Sequence, residues 1–306
     1  MRPIPIVIDT DPGVDDFFCL ALACTYRDVL DLKAVCSMGG NHYTDVTTQN
    51  ALNILSLFGR EDVPVARGAD SYLTEPFKEP AAKFHGENGL GNVTLPTSGR
   101  KADPLPAWDK LYKIARACGG ELVLVTVAPL TNVAMALQRH PDLPLYLKKI
   151  VTMGGSTTVG NISPYAEANV GHDAPAARLV FESGIPLDMV GLNVTKPCPI
   201  RPDVFDRCSP TPDGPIETVM RRLIAFRNGE AMHDAIAIST LIDPQLASWD
   251  GGRIQVITGD PVHVGQTVLH PAPDGVHRAA STVDHDRYDA VIGGMLRRLH
   301  PGGEAR

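Results

Sequence analysis

The chain has little that would suit it to nucleic acid, a membrane or an oxidising compartment. Lys and Arg number 28 against 35 Asp and Glu, which leaves a formal charge of -7 and a pI near 5.8. The basic stripe or patch that tracks a phosphate backbone is therefore missing. No run approaches the roughly 18 apolar residues of a membrane span, and the first residues hold no basic stretch leading into an apolar signal core. The six cysteines, Cys19, Cys24, Cys36, Cys118, Cys198 and Cys208, include no CxxC pair and no metal-ligand spacing. Scattered mostly through apolar contexts, they read as reduced core thiols. Internal repeats, low-complexity tracts and evident linkers are absent as well. These absences predict a soluble, cytoplasmic protein without nucleic-acid or membrane partners. With 306 residues, 43% of them hydrophobic, the chain can bury one large core, and residues 1–306 are expected to form a single domain.

What is present is crowded acid. In IPIVIDTDPGVDD, the β-branched run of Ile4, Ile6, Val7 and Ile8 is followed by Asp9, Asp11, Asp15 and Asp16 around a Pro12-Gly13 turn. Two unit charges about 4 Å apart repel by about 4 kcal/mol at an effective dielectric near 20, so such a cluster needs a cation or raised pKa values. Oxygen ligands with no nearby Cys or His favour Ca²⁺ or Mg²⁺ over Zn²⁺. Turn and helix-cap roles account for one or two of these acids but not for four.

Short β-rich runs alternate with helical patterns, the sequence form of a parallel sheet covered on both faces. Strands are predicted at residues 4–8, 32–37, 64–66, 122–127, 150–153 and 187–190, and helices at 17–25, 45–58, 106–117, 131–138, 175–182, 216–227 and 235–241. Asp173 and Pro175 make a good helix start. Beyond Gly251, runs at 254–258, 262–269 and 280–283 suggest hairpins, followed by a last helix at 288–299. The expected fold class is α/β: an open, mostly parallel Rossmann-like sheet with helices on both faces and C-terminal hairpin additions.

Ligands of such sheets bind beyond the carboxyl ends of the strands. Polar loops follow those ends repeatedly: DTDPGVDD, MGGN ending at Asn41, VAPLTN, and MGGSTTVGNISPYAEAN. The amides and acid of Asn161, Glu167 and Asn169 suit recognition of several hydroxyls, although a hydrogen-bonded surface loop has the same composition. From the residues alone, His233 reads as a helix-start or surface histidine and His85 as a loop-packing one. Arg221, Arg222 and Arg227 read as a solvated helix face. His42, His140, His172, His263, His270, His277, His285 and His300 match no motif.

Taken in order and spacing, DTDPGVDD, MGGN, FHGENGLG, VAPLTN, MGG, GNISPYAEAN and MHDA resemble the inosine-uridine-preferring nucleoside hydrolases over about residues 4 to 240. The resemblance implies a ribonucleoside N-glycosidase that uses a tightly held Ca²⁺ and water to release base and ribose, working as a homodimer or homotetramer. It implies that Asp11, Asp16, Asp234 and the backbone carbonyl of Val127 ligate the metal. Asp11 would also act as general base for water, with Asn41 orienting that water. Asp15 and Asn169 would bind the ribose 2′- and 3′-hydroxyls, and Asn161 and Glu167 the 5′ side, with Met153 against the ring. His85 and His233 would face the nucleobase, His233 as the acid for the leaving group, and Asp9 would support the cluster from behind. The chemistry fits. Breaking an N-glycosidic bond builds positive charge on the sugar, which carboxylates stabilise.

The chain departs from the family pattern in three places. Phe17-Phe18 follows the acid motif where small residues are usual, the helix before MHDA has no tyrosine, and Trp108 and Trp249 lie outside the motifs. Two other readings of the residues remain. A phosphatase with a DxD nucleophile would also begin on such a strand, and a nucleoside- or ribose-binding protein without catalysis would share most of the site.

Overall fold

The computed structural model describes residues 2–77, 79–209, 211 and 214–299. His300 and the two ends of the expected 1–306 domain lie outside the described residues. The strands are β1 (Ile4–Thr10), β2 (Leu30–Ser37), β3 (Val65–Arg67), β4 (Leu122–Thr126), β5 (Leu147–Met153), β6 (Leu187–Val190), β7 (Ala247–Val256), β8 (Thr267–Pro271) and β9 (His277–Val283). They form one sheet in the order β3-β2-β1-β4-β5-β6-β9-β7-β8. The first six run parallel, β9 joins β6 in parallel, and β7 lies antiparallel between β9 and β8. Strand order proceeds outward in both directions from the β1–β4 pair. That pair is the topological switch point, where the connections leave a crevice open at the carboxyl ends.

The central strands read as continuous apolar runs because helices cover both faces. On one face, Ile6, Ile8, Val123 and Val125 pack under the helices Val14–Thr25 and His233–Ile242. On the other, Val7, Leu122 and Leu124 pack under Ala107–Cys118, Thr131–Arg139 and Ala174–Phe181. The helices Val14–Thr25 and His233–Ile242 lie side by side and are buried on nearly every residue, as expected of helices apolar all round. Phe17 and Phe18 are fully enclosed there, with Phe17 5.8 Å from the ring of Phe58. The unusual pair is thus absorbed by the core behind the acid cluster. Asp173 caps its helix as read from the sequence, accepting from Ala176 N at 3.1 Å.

The C-terminal third differs in detail from the sequence reading. β7 starts at Ala247, seven residues before the predicted run, and of the predicted strand over 262–269 the first half is a turn while its end falls in β8 (Thr267–Pro271). Asp260 accepts from Val262 N at 2.9 Å, and Gly265 N donates to Ile257 O at 2.8 Å, so side-chain and glycine turn chemistry interrupts the apolar run. His277 is buried, accepting from Ile254 N through Nδ1 at 2.8 Å. Asp188 of β6 ties three strands together, accepting from Arg278 of β9 through two bonds of 2.7 Å and from Lys149 of β5 through one of 2.7 Å. Among the described residues no helix is long and apolar enough to cross a membrane. The cysteines are all unpaired, four of them buried.

Candidate active site

β1 delivers the acids to the crevice. Its last residues Asp9 and Thr10 are buried, the chain turns through Asp11-Pro12-Gly13, and the helix Val14–Thr25 begins at once, placing Asp15 and Asp16 in its first turn. Asp16 gathers this turn: it accepts from the Thr10 hydroxyl, from Gly13 N at 2.9 Å and from Asn41 Nδ2 at 3.0 Å. Asn41, at the end of β2's loop, also donates its backbone N–H to Asp11 Oδ2 at 2.7 Å and its amide to Asp11 O at 3.1 Å. Two glycines permit this closeness. A Cβ on Gly40 would stand 2.0 Å from Asp11 Oδ2, and one on Gly13 2.2 Å from His85 Nδ1. Behind the cluster, Asp9 accepts from Asn132 Nδ2 at 2.7 Å, the supporting position expected of it.

Other segments close in from the neighbouring strand ends. Val127, just past β4, is buried and donates its N–H to Asp9 O at 2.8 Å. Asp234, in the first turn of His233–Ile242, is brought beside Asp15 and Asp16 by the packing of the two helices. One carboxylate oxygen from each of the three lies within 4.8 Å of the others. Asp15 thus belongs to this trio, while Asp11 adjoins it with Oδ1 buried and without a hydrogen-bond partner. Beyond β5, Asn169 donates Nδ2 to Met153 O at 3.1 Å, next to the buried Met153 side chain. Glu167 is buried, and its two oxygens accept from the backbone of Gly155, Asn169 and Val170 at 2.8, 2.9 and 3.1 Å, capping the short helix Ala168–Gly171. Asn161 is exposed, and its Oδ1 accepts from Ala168 N at 2.9 Å. Asn161 and Glu167 are therefore already committed to shaping this loop.

The histidines stand opposite. His85, on the short helix Ala82–His85, is buried and accepts from Val14 N at 3.1 Å through Nδ1, which leaves its proton on Nε2. His233 Nδ1 lies 2.8 Å from Thr195 Oγ1. Arg227 completes this end and corrects the sequence reading. It lies 8% exposed at the cap of the helix Pro215–Phe226, not on a solvated face. Arg221 does sit on that face, paired with Asp206. Nothing in the sequence separates the two arginines, since a cap position carries no periodic signal. Thr195 and Asn132 also escape a sequence reading, because only packing brings them against His233 and Asp9.

Burial dominates the electrostatics. It pushes Asp9 up to about 7 against the Asn132 hydrogen bond, Asp16 up to about 7 with help from the charge of Asp15, and Glu167 up to about 7 against its three backbone donors. Asp11 and Asp234 rise well above the ordinary carboxylate range, first through burial and then through neighbouring carboxylates. Burial also opposes ionisation of Asp15, but the charges of Arg227, His85 and His233 together with a backbone hydrogen bond outweigh it and hold that carboxyl low. His85 is lowered to about 4 and His233 is lowered too, by burial in both cases and against the pull of Asp15. At 4.8 Å a pair of carboxylates repels by about 3.5 kcal/mol at an effective dielectric of 20. Buried oxygens Asp11 Oδ1 and Asp15 Oδ1 lack partners, and the donors are all oxygen. The residues fit a hard divalent cation.

Fold and site together define a doubly wound α/β protein with a cation-ready carboxylate nest at its switch point, bordered by amide- and histidine-bearing loops. The profile of the inosine-uridine preferring nucleoside hydrolases matches residues 6–290. The chain is 36% identical over 276 residues to the pyrimidine-specific ribonucleoside hydrolase RihA of Photobacterium profundum, covering 87% of this chain and 88% of that one. It is 33% identical over 270 residues to the non-specific ribonucleoside hydrolase RihC of Salmonella newport, covering 86% and 87%. The purine-preferring ribonucleoside hydrolase of Gardnerella vaginalis superposes with a TM-score of 0.91 at 28% identity, over 96% of this chain and 98% of its own. The chain belongs to the inosine-uridine-preferring nucleoside hydrolase family, enzymes that act on N-glycosyl bonds.

Proposed function

We propose that this enzyme hydrolyses ribonucleosides to ribose and free base with one Ca²⁺ held by Asp11, Asp16, Asp234 and the Val127 carbonyl. The observation that carries the reading is the trio of buried carboxylates at the switch point with unpartnered oxygens on Asp11 and Asp15. Ca²⁺ suits this irregular oxygen set better than the stricter octahedral Mg²⁺, and when bound it would lower the pKa of a water beside it. Asp11 takes the proton of the attacking water, with the Asn41 contact fixing the carboxylate that does so. Asp15, whose carboxyl is held low by the charges of Arg227, His85 and His233 together with a backbone hydrogen bond, accepts from the ribose 2′- and 3′-hydroxyls, and Asn169 joins it. Met153 lies along the sugar. Glu167 and Asn161 act on the 5′ side, chiefly by setting the loop between them. The surrounding carboxylates stabilise the positive charge that develops on C1′.

At the base end, His85 and His233 face the leaving group. His233 is the proposed acid; its lowered pKa makes the protonated form strong but scarce at neutral pH. The single domain over 1–306, the cytoplasmic location and the homodimer or homotetramer belong to the same proposal. Asp11→Asn tests it: the substitution should abolish release of base from every nucleoside, because it removes a metal charge and the proton acceptor together. His233→Ala should slow poor leaving groups by about 10² or more and leave p-nitrophenyl riboside little affected. Equal slowing of both substrate types would make His233 a structural residue.

A further inference from the structure

The loop that follows β4 is held at both ends by one residue. Val127 N donates to Asp9 O at 2.8 Å, and Asn132, at the start of the helix Thr131–Arg139, donates Nδ2 to Asp9 Oδ1 at 2.7 Å. Asp9 thus clamps the stretch from Val127 to Asn132. The Asn132 amide also donates to Ser37 O, at the end of β2, at 3.0 Å and accepts from Ala69 N, just past β3, at 2.9 Å, with the residue only 1% exposed. One side chain therefore ties the carboxyl ends of four adjacent strands. Asp9 Oδ2 is buried without a partner, so among the described residues Asn132 alone orients that carboxyl. The fit is close: a Cβ on Gly68 would stand 2.2 Å from Ser37 O and 2.3 Å from Asn132 Oδ1. The clamped loop in turn lies on the carboxylate nest, since a Cβ on Gly40 would meet both Asp11 Oδ2 at 2.0 Å and Pro129 Cδ at 3.2 Å.

We propose that Asp9 and Asn132 are positioning residues that hold the Val127 loop and the Asp11 turn at the spacing a cation needs, acting through their hydrogen bonds and not through the charge of Asp9. This rests on the Ca²⁺ reading above and assigns what builds its site. A frame set before binding spares the cation the cost of ordering its ligands. Bonds made behind metal ligands commonly govern affinity by about 10- to 100-fold. Asn suits the task because its amide donates and accepts at once. An aspartate in its place would lose both donor contacts and set a carboxylate against Asp9.

Calorimetric titration of chelator-stripped protein with Ca²⁺ tests this apart from activity. Asn132→Ala and Asp9→Ala, each checked for fold by circular dichroism, should bind Ca²⁺ at least about tenfold more weakly than the parent. Asp9→Asn keeps an oxygen that can accept from Asn132, and its affinity should stay close to the parent's. The double Ala variant should bind no more weakly than Asn132→Ala alone, because both changes break one clamp. In the unaltered stripped protein the N–H groups of Ala69 and Val127 should already be protected from hydrogen exchange, a readout that needs no variant to fold. Unchanged affinity in a folded Asn132→Ala, losses that add in the double variant, an Asp9→Asn as weak as Asp9→Ala, or unprotected amides in the stripped protein would overturn the assignment. A parent protein that binds no Ca²⁺ at all would sink the cation reading, and this assignment with it.

Discussion

Removing the cation should cost the protein stability that can be worked out from the site. Three carboxylates share oxygens within 4.8 Å, and each ionised pair at that distance costs about 3.5 kcal/mol at an effective dielectric of 20. Without a cation the trio of Asp15, Asp16 and Asp234 escapes most of this cost by keeping protons on Asp16 and Asp234, as their raised values indicate, while Asp15 stays low. With the cation, the protons leave and the folded state gains the binding energy. At a concentration of 1,000 times Kd that gain is about 4.1 kcal/mol. For 306 residues, with an unfolding entropy of about 2.1 cal/mol/K per residue, it corresponds to a rise in Tm of about 6 °C. The assay is thermal unfolding of chelator-stripped protein with and without added Ca²⁺. Asp234→Asn supplies the internal check. The stripped variant should melt no lower than the stripped parent, because Asp234 already carries a proton there, yet most of the Ca²⁺ shift should vanish. Melting points within about 1 °C with and without Ca²⁺, or a full shift in Asp234→Asn, would refute the reasoning.

Ribosides should exceed 2′-deoxyribosides in kcat/KM by at least about tenfold, since loss of the 2′-hydroxyl leaves Asp15 and Asn169 unpaired; inosine against 2′-deoxyinosine measures it. Gly40→Ala should lower kcat by about 10² with the fold retained by circular dichroism, because its Cβ would stand 2.0 Å from Asp11 Oδ2 and displace the carboxylate. Asp188→Asn should destabilise the fold by about 2 kcal/mol in urea at neutral pH, less than a fully buried pair because Lys149 and Arg278 reach solvent. Burial raises the pKa of Asp188, but the bonds from Arg278 and Lys149 outweigh it and the net shift is downward. Its contribution is therefore present above the unfolded value of about 3.9 and should fade as pH falls through the lowered folded value.

The parallel half of the fold was legible because its period is strong: apolar β-branched runs end at polar loops, and β1 to β6 fall where those runs are. The acid motif was legible because four carboxylates in eight residues exceed what capping can use. What escaped is short or depends on packing. The helices Ala82–His85, Ala168–Gly171 and Leu192–Thr195 span four residues each, too few to show a 3.6-residue period, yet they carry His85, Asn169 and Thr195. Arg227 looks in sequence like Arg221 and Arg222, and only the docking of its helix cap beside Phe84 buries it. The turn at 261–265 reads as the start of a strand because Val262 and Val264 alternate in register with Val268 of β8, while Asp260 and Gly265 bend the chain. Glu167 was read from its residue type as a sugar ligand, and its three backbone bonds became visible only with the loop folded.

The central claim is that water, directed by Asp11 and a divalent cation, cleaves the N-glycosyl bond. The most direct measurement follows free base and reducing sugar together, from inosine, uridine, cytidine and adenosine, in phosphate-free buffer with stripped and Ca²⁺-restored protein. The account predicts equimolar base and ribose from the restored protein, little from the stripped one, and no need for phosphate. Tight binding of nucleosides without release, or release that is unchanged by stripping, would contradict it.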